Sequence, residues 1–280
     1  MSVYGGPSIV TSGLIHVLDP NQYNGVSNTT FSERITTTNY WTIESGALGN
    51  TAAVKTILTN GDATGFGNTK INIAPDLRMN TGSITSIVWF NLKNIPIKVG
   101  DQNNYRNLIV NKNGIAFAGP LTIFLEQSGG GIGVPVAGGI TVSTICTDGI
   151  FRRYTANQFG GVVSYDANGW QMICHTYNKA TGNSAVYKNG TLTYEGKMST
   201  DNIGTSPTTP GLGLDYRYYE GTNGSLYSGF SICTAANTAP NPAGVGSVPG
   251  EVGTTLFYNR ALTAEEVLIN YNAMRSRYGL

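Results

Sequence analysis

The sequence carries little charge, and no segment concentrates charge of one sign. Charged residues make up 12% of the 280 residues, and the formal net charge is +1 at pH 7. Proteins that bind nucleic acids usually present a basic patch to the phosphates, and no run of Lys or Arg supplies one here. We therefore predict no nucleic-acid partner.

Long apolar runs are missing as well. No segment approaches the roughly 20 apolar residues that a membrane-spanning helix needs, so we predict no membrane partner. The first residues, MSVYGGPSIVTSG, lack the basic start and the apolar core of a secretion signal. We therefore expect synthesis in a cytoplasm.

Residues that bind metals or catalyse reactions are scarce. The chain has three cysteines without metal-ligand spacing, and its two histidines are His16 and His175. No nucleophile turn of a Ser-His-Asp triad is recognisable. No Asp lies two residues from a Glu, and the one adjacent acidic pair, Glu265-Glu266, begins a predicted helix. The sequence therefore favours a protein that is not an enzyme and has no resident cofactor.

The residues that are plentiful are those of a turn-rich β-protein. The chain contains 37 Gly, 11 Pro and 16 Tyr, and hydrophobic residues reach 40%, which is enough for a sizeable core. The clearest pattern lies in 169–196. There, Trp170 to Tyr177 predicts a long strand, and Asn189-Gly190 predicts the tight turn of a following hairpin.

The long strand also predicts how its sheet is covered. Alternation places Trp170, Met172 and Cys174 on one apolar face, whereas the opposite face is mixed. We expect the apolar face to pack in the core beside Val88 or Trp89. A sheet with one apolar and one mixed face is typically packed on one side only.

Two other segments have clear local signals. The consecutive apolar residues of 87–90 predict a strand that is buried on both faces. Thr263 and Glu266 form a predicted capping box, which marks the start of a helix. Apolar residues then recur at helical spacing and predict one buried stripe: Ala264, Val267, Leu268, Tyr271, Met274 and Tyr278.

Three segments together resemble a known family. Residues 12–19 read SGLIHVLD, residues 186–192 read VYKNGTL, and residues 253–279 read GTTLFYNRALTAEEVLINYNAMRSRYG. They resemble, in order, the opening strand, the middle and the closing strand with helix of the LamG-like jelly roll. This family belongs to the concanavalin A-like lectin/glucanase superfamily. The resemblance implies an all-β fold, an antiparallel jelly-roll β-sandwich with a short C-terminal α-helix.

The resemblance also suggests a domain organisation. Residues 1–12 are predicted to be an N-terminal arm, and residues 13–280 a single LamG-like β-sandwich domain. Relative to the family, the domain has long loop insertions at about 100–166 and 199–250. Because the arm and loops are rich in Gly, Pro and Thr and lack apolar periodicity, we expect them to contact partner molecules.

The resemblance implies two functions of different kinds. The closing residues look most like versions of this domain in structural proteins of tailed bacteriophages. This implies a structural virion protein of the head, neck or tail, made in the host cytoplasm, whose partners are other virion proteins or further copies of itself. The alternative is a carbohydrate-binding adhesin module that recognises a host-surface glycan. The Glu-x-Asp-x-x-Glu motif of the superfamily's retaining glucanases is absent.

Two small groups of residues are candidate sites. Tyr216, Tyr218 and Tyr219 form the densest aromatic cluster, and they are candidates for contact with a glycan or a protein partner, or for ordinary cross-strand packing. Asp166 and Asn168 precede the long strand and are candidate calcium ligands, since some relatives carry calcium at the rim of the sandwich. The competing interpretation is that they form a turn into the strand.

Overall fold

In a computed structural model of the chain, the described residues fall in seventeen ranges. Predictions that concern other positions lie outside the described residues. The ranges are 8–20, 30–32, 39–45, 47–51, 54–59, 70–73, 82–92, 105–111, 122–126, 140–148, 150–155, 166, 169–199, 206–214, 230–232, 245–247 and 250–280.

The described residues form seventeen strands, and helix α1 (Ala264–Met274) with a 3-10 turn (Arg275–Tyr278) follows the last of them. In chain order the strands are β1 (Leu14–Leu18), β2 (Thr30–Ser32), β3 (Asn39–Ser45), β4 (Ala47–Thr51), β5 (Val54–Thr59), β6 (Lys70–Ile73), β7 (Ile84–Leu92), β8 (Tyr105–Asn111), β9 (Thr122–Glu126), β10 (Ile140–Ile145), β11 (Phe151–Thr155), β12 (Gly169–Asn178), β13 (Asn183–Lys188), β14 (Thr191–Lys197), β15 (Phe230–Ile232), β16 (Val245–Ser247) and β17 (Gly250–Tyr258).

The strands form two sheets. The first has the order β14-β13-β12-β7-β17-β5-β4, with β1 paired to the second half of β17. The second has the order β11-β10-β9-β8-β15-β6-β3-β2, with β16 added to β8 by a parallel pairing. The predicted all-β fold, antiparallel with a short C-terminal helix, is confirmed.

The regions predicted as loop insertions contain much of the second sheet. Segment 100–166 provides the four strands from β8 to β11, and segment 199–250 provides β15 and β16. Short strands between Gly- and Pro-rich connections carry little periodicity of their own, so they are hard to recognise from sequence. The division into an arm and one domain remains a prediction.

The central hairpin has the predicted turn. Asn189 and Gly190 have φ angles of 49° and 78°, the left-handed values that a type I′ turn needs at both positions. The Asn189 side chain also accepts a hydrogen bond from the Met172 amide (2.8 Å), and the Asn189 amide donates to the Met172 carbonyl (2.9 Å). The turn is therefore fixed both by its own backbone preference and by the neighbouring strand.

The expectation that the sheet is covered on one side only is wrong. Every residue of β12 from Gln171 to Tyr177 is buried, including the mixed face that carries His175. The register sets Met172 opposite Trp89, so the apolar face lies beside Trp89, whereas Val88 points to the other side. The buried run at 87–90 is confirmed. The described centre of the first sheet, at β7, β12 and β17, is thus buried on both faces.

An aromatic stack fills the core on the outer face. Tyr278 packs on Trp89 with ring centroids 4.4 Å apart, and Tyr271 stacks on Trp89 at 5.7 Å. Trp170, which is only partly buried, leans on Tyr278 at 4.5 Å. The helix and the 3-10 turn therefore cover the sheet through ring contacts, which contribute beyond the area they bury.

The capping box is confirmed, and the predicted stripe is partly wrong. The Thr263 hydroxyl accepts from the Glu266 amide, and the Glu266 carboxylate accepts from the Thr263 amide. Val267 and Met274 are buried as predicted, but Ala264 and Leu268 are exposed.

A buried polar residue, Asn270, occupies part of the stripe. Its side-chain amide donates to the Tyr258 hydroxyl (3.0 Å) and accepts from the Val10 amide (2.9 Å). It links the start of the chain to the last strand, which a periodicity argument based on apolar residues misses.

The described end of the predicted arm lies on this chain itself. Ile9 and Val10 pack against the outer core, and the Val10 carbonyl accepts from Tyr258 (3.0 Å). The Ser12 carbonyl accepts from the Arg260 guanidinium (2.9 Å). Residues 8–12 therefore pack on this chain, the expectation that the arm contacts partner molecules remains a prediction, and residues 1–7 lie outside the described ranges.

The inner face of the first sheet is partly polar. His175 forms a hydrogen bond with the Ser184 hydroxyl (3.1 Å), as a sheet residue is expected to. Ser86 lies opposite His175 on the next strand, and all three residues are buried. Burial lowers the pKa of His175 to about 3, so the imidazole is neutral in the folded protein at ordinary pH.

We predict that Trp89→Ala lowers the free energy of unfolding by about 3–5 kcal/mol, because the indole is fully buried between two tyrosine rings. Trp170→Ala should cost less, since Trp170 is only partly buried. Urea denaturation measures both, with Leu192→Ala as a control at an exposed position. Equal losses at Trp89 and Trp170 would contradict the assignment of Trp89 as the centre of the stack.

We predict that His175 makes stability fall in acid. Its folded pKa of about 3 lies below the ordinary 6.5, so between these values the unfolded chain binds a proton that the folded chain does not. Stability from this group is fully present above pH 6.5 and falls by about 1.4 kcal/mol per pH unit below it. His175→Gln should reduce that slope in urea titrations from pH 7 to pH 4. A variant with the same slope as the wild type would show that other groups cause the acid sensitivity.

Candidate functional site

A groove runs along β14, the strand at one edge of the first sheet. Its volume is about 520 Å³, within the range of small-molecule sites. We call it the β14 groove, and it is lined by Thr193, Tyr194, Glu195, Gly196, Lys197, Ser199 and Pro207. Six of these residues come from or directly follow one strand, so the local shape of β14 decides the shape of the site.

A β-bulge shapes the strand at the start of the groove. The pairing of β13 with β14 shifts by one residue, so that Val186 pairs with Tyr194 and Tyr187 with Leu192. Thr193 is the extra residue, and its hydroxyl donates to the Val186 carbonyl at 2.7 Å. A bulge increases the local twist and redirects side chains, and bulges are frequent beside functional sites.

The Tyr194 ring lies over Gly196. A Cβ atom at position 196 would meet the Tyr194 hydroxyl at 2.5 Å and ring atom Cζ at 3.0 Å, so the ring occupies the space that a side chain would fill. The Tyr194 hydroxyl donates to the Lys197 carbonyl at 3.2 Å. Glycine thus allows the ring to lie along its own strand, and the hydrogen bond holds it there.

Residues with charges of both signs also line the groove, and alternation along β14 directs Glu195 and Lys197 to the opposite face of the strand from Tyr194. Glu195 is exposed, and Lys197 is partly exposed and donates from its ammonium to the Thr181 carbonyl. An ammonium group has three donors, so this contact leaves it capacity for a ligand oxygen. Aromatic, hydroxyl and charged groups together suit a polar ligand with one apolar face.

The opposite wall of the groove is Pro207, which belongs to residues 206–214, here named the wall segment. Its anchor on the sheet is Thr208, which is buried. The Thr208 amide donates to the Met198 carbonyl (2.8 Å), and its hydroxyl donates to the Gly182 carbonyl (2.6 Å). The wall is therefore attached to the first sheet just beyond the end of β14.

Asp166 lies at the other end of the sheet, away from the groove. Its carboxylate accepts from the Lys188 ammonium at 3.0 Å, and its backbone exchanges two hydrogen bonds with the Gln171 side chain. Asn168, the second candidate calcium ligand, lies outside the described residues. The calcium site remains a prediction, and a cation would compete with Lys188 for the same carboxylate.

The predicted tyrosine cluster lies in an undescribed part of the chain. Tyr216, Tyr218 and Tyr219 follow directly on the wall segment, which ends at residue 214. Their role in glycan or partner contact remains a prediction. The β14 groove itself was not predicted, because its shape depends on a bulge and on a distant wall that no local pattern signals.

Groups for catalysis or metal binding are not gathered in the described part of the chain. Both histidines are buried, and Cys146 and Cys174 are buried free thiols. Among the described residues, no three His, Cys, Asp or Glu side chains are placed to share a metal ion. Nor does any described helix have the length and apolar character that spanning a membrane requires.

Comparison with known proteins gives no family. No family model matches the chain, and no curated protein sequence matches it significantly. The LamG-like family and the bacteriophage origin therefore remain predictions.

Solved structures share the fold. A structure of botulinum neurotoxin type C, whose cell entry depends on interaction with two ganglioside molecules, has a TM-score of 0.56 at 12% identity. The binding domain of Paraclostridial Mosquitocidal Protein 1 has a TM-score of 0.53 at 14% identity. The binding domain of botulinum neurotoxin DC in complex with SialylT has a TM-score of 0.52 at 11% identity.

The similarity extends over nearly all of this chain but only part of those structures. The matches cover 94%, 92% and 94% of this chain, and 51%, 52% and 51% of the other chains, in the same order. The chain thus spans about half the length of the structures that it matches.

Proposed function

We propose that the chain is a carbohydrate-binding module and that the β14 groove is its glycan site. The observation that carries the proposal is the Tyr194 ring held over Gly196 in a groove with Glu195 and Lys197. The sequence predicts this function as the alternative to a purely structural role.

The groove offers the two kinds of contact that a sugar needs. The C–H groups of a sugar ring pack on an aromatic face, and Tyr194 has a fixed position because its hydroxyl is bonded to the Lys197 carbonyl. The hydroxyl groups of a sugar need donors and acceptors, which Glu195 and Lys197 provide. Since the ring is already in place, binding costs little ordering of side chains.

The groove also suits an acidic sugar. The Lys197 ammonium can pair with a sugar carboxylate, and charge-assisted hydrogen bonds are stronger than neutral ones. The similar structures support this choice, because one is a complex with SialylT and another is of a neurotoxin that interacts with two ganglioside molecules. Their sequence identity is too low to transfer residues, so the argument depends on this chain's own groove.

We propose that the module is not an enzyme. Glycoside hydrolysis usually needs two carboxyl groups on either side of the scissile bond. Glu195 is the only carboxylate among the residues that line the groove in the described part of the chain. A binding role is also consistent with the similar structures being binding domains.

We also propose that the module is a virion protein and is located on the virion. This role and this location depend on the resemblance of the closing residues to bacteriophage structural proteins. A glycan-binding module on a virion would recognise a host-surface glycan and contact other virion proteins, which unites the two functions inferred from sequence.

We predict that the purified chain binds a sialyl-T oligosaccharide in isothermal titration calorimetry. Tyr194→Ala should weaken binding by about tenfold or more, because it removes the stacking surface. Tyr194→Phe keeps the ring but loses the hydrogen bond to the Lys197 carbonyl, so its affinity should lie between those of the wild type and Tyr194→Ala. Lys197→Gln should weaken binding of sialyl-T but not of the same oligosaccharide without sialic acid.

Two results would count against the groove. A double variant, Tyr218→Ala with Tyr219→Ala, tests the tyrosine cluster. If this variant loses binding while Tyr194→Ala binds as the wild type does, the glycan site lies at the tyrosine cluster and not in the groove. Absence of binding to both oligosaccharides would overturn the proposed function.

A further inference from the structure

The wall of the β14 groove contains a strained residue. Ser206 has a φ angle of +48°, in the left-handed region that non-glycine residues rarely occupy. Pro207, which lines the groove, follows it directly. Such a conformation persists only where surrounding contacts impose it, so something must hold Ser206 in place.

Arg152 provides that contact from the second sheet. Its guanidinium Nε donates to the Ser206 carbonyl at 2.7 Å. Its two terminal nitrogens donate to the two carboxylate oxygens of Asp148, at 2.9 and 2.7 Å. The side chain of Arg152 is 4% exposed, so little water competes for these hydrogen bonds.

Asp148 is itself fixed. Its carboxylate accepts from the Ile150 amide at 3.0 Å in addition to the two bonds from Arg152. The hydrogen bonds from the Arg152 side chain lower the pKa of Asp148, so the pair stays ionised at neutral pH. The planar guanidinium is thereby oriented with its third donor towards the wall segment.

We infer that Arg152 is a positioning residue for the β14 groove: oriented by Asp148, it sets the wall at Ser206 and Pro207 and thereby the affinity for the glycan. This inference rests on the proposed function. If the inference holds, residues of both sheets determine the shape of the groove, because Arg152 lies on β11 and the proposed sugar-contacting residues lie on β14.

The chain contains a matched control for this arrangement. Arg260 also forms a two-bond pair with a carboxylate, Glu266, at 2.7 and 2.6 Å, and its Nε also donates to a backbone carbonyl, that of Ser12, at 2.9 Å. None of these residues lines the groove. The two arginines therefore make the same set of bonds but hold different segments, and they differ in exposure, which is 4% for the Arg152 side chain and 30% for that of Arg260.

The test compares Arg152→Lys with Arg260→Lys. A lysine keeps the charge but cannot bond both carboxylate oxygens and the carbonyl in one plane. Calorimetric titration with sialyl-T should show about a tenfold loss of affinity for Arg152→Lys and no change for Arg260→Lys, although both lower the melting temperature. Unchanged affinity in a folded Arg152→Lys protein, or an equal loss in both variants, would overturn the inference.

A second measurement needs no ligand. Hydrogen exchange of the Thr208 amide, which donates to Met198, should accelerate in Arg152→Lys while the amides between β12 and β13 exchange as in the wild type. Asp148→Asn should give the same pattern and replaces Arg152→Lys if that variant fails to fold. If the wild type binds no glycan but the exchange pattern appears, the proposed function fails and the positioning of the wall stands. If Thr208 exchange is unchanged in both variants, Arg152 does not hold the wall.

Discussion

The contact between Tyr278 and Trp89 determines how the two ends of the chain are arranged. The ring can reach the sheet because position 253 is glycine, where any side chain would collide with Tyr278, and because β17 has a bulge at this point. The Tyr278 hydroxyl accepts from the Thr254 amide (2.6 Å) and donates to the Thr254 hydroxyl (2.9 Å). With the helix fixed in this way, Asn270 and Tyr258 are placed to bind residues 8–12. One ring contact thus closes the outer core and ties the first described residues to the last.

Covering the outer face has a consequence for where a binding site can form. The central strand β12 is buried on both faces, so it has no free surface for a ligand. Among the first-sheet side chains whose burial is described, the exposed ones lie on β14, where Thr191, Leu192 and Glu195 face solvent. An edge strand also has to be protected from pairing with other chains, and the bulge at Thr193 and the charged side chains serve that purpose. The features that protect the edge are the same ones that shape the groove.

The predictable parts of this structure are those encoded by neighbouring residues. The turn at Asn189-Gly190 and the capping box at Thr263 and Glu266 follow from the conformational needs of four consecutive positions, and both are confirmed. Coverage of the mixed face of β12 could not be predicted, because it depends on a second sheet whose strands are short and lie among Gly- and Pro-rich connections. Nor could the bond from Val10 to Asn270, which joins residues 260 positions apart. The groove belongs to this second class, since it combines β14 with a wall that is held from another sheet.

Fold similarity alone says little about binding here, because the groove depends on particular side chains from both sheets. At 11–14% identity, the similar structures share an architecture without sharing side chains, and a binding site depends on side chains. For the proposed glycan site, those side chains are a tyrosine packed on a glycine, a lysine on the same strand, and an arginine that reaches across from the second sheet. Ser206, at φ +48°, accepts the hydrogen bond from Arg152 and directly precedes Pro207, which lines the groove. Because Arg152 holds the wall segment from the second sheet, a shallow groove at the edge of the first sheet can have a fixed shape before a ligand binds.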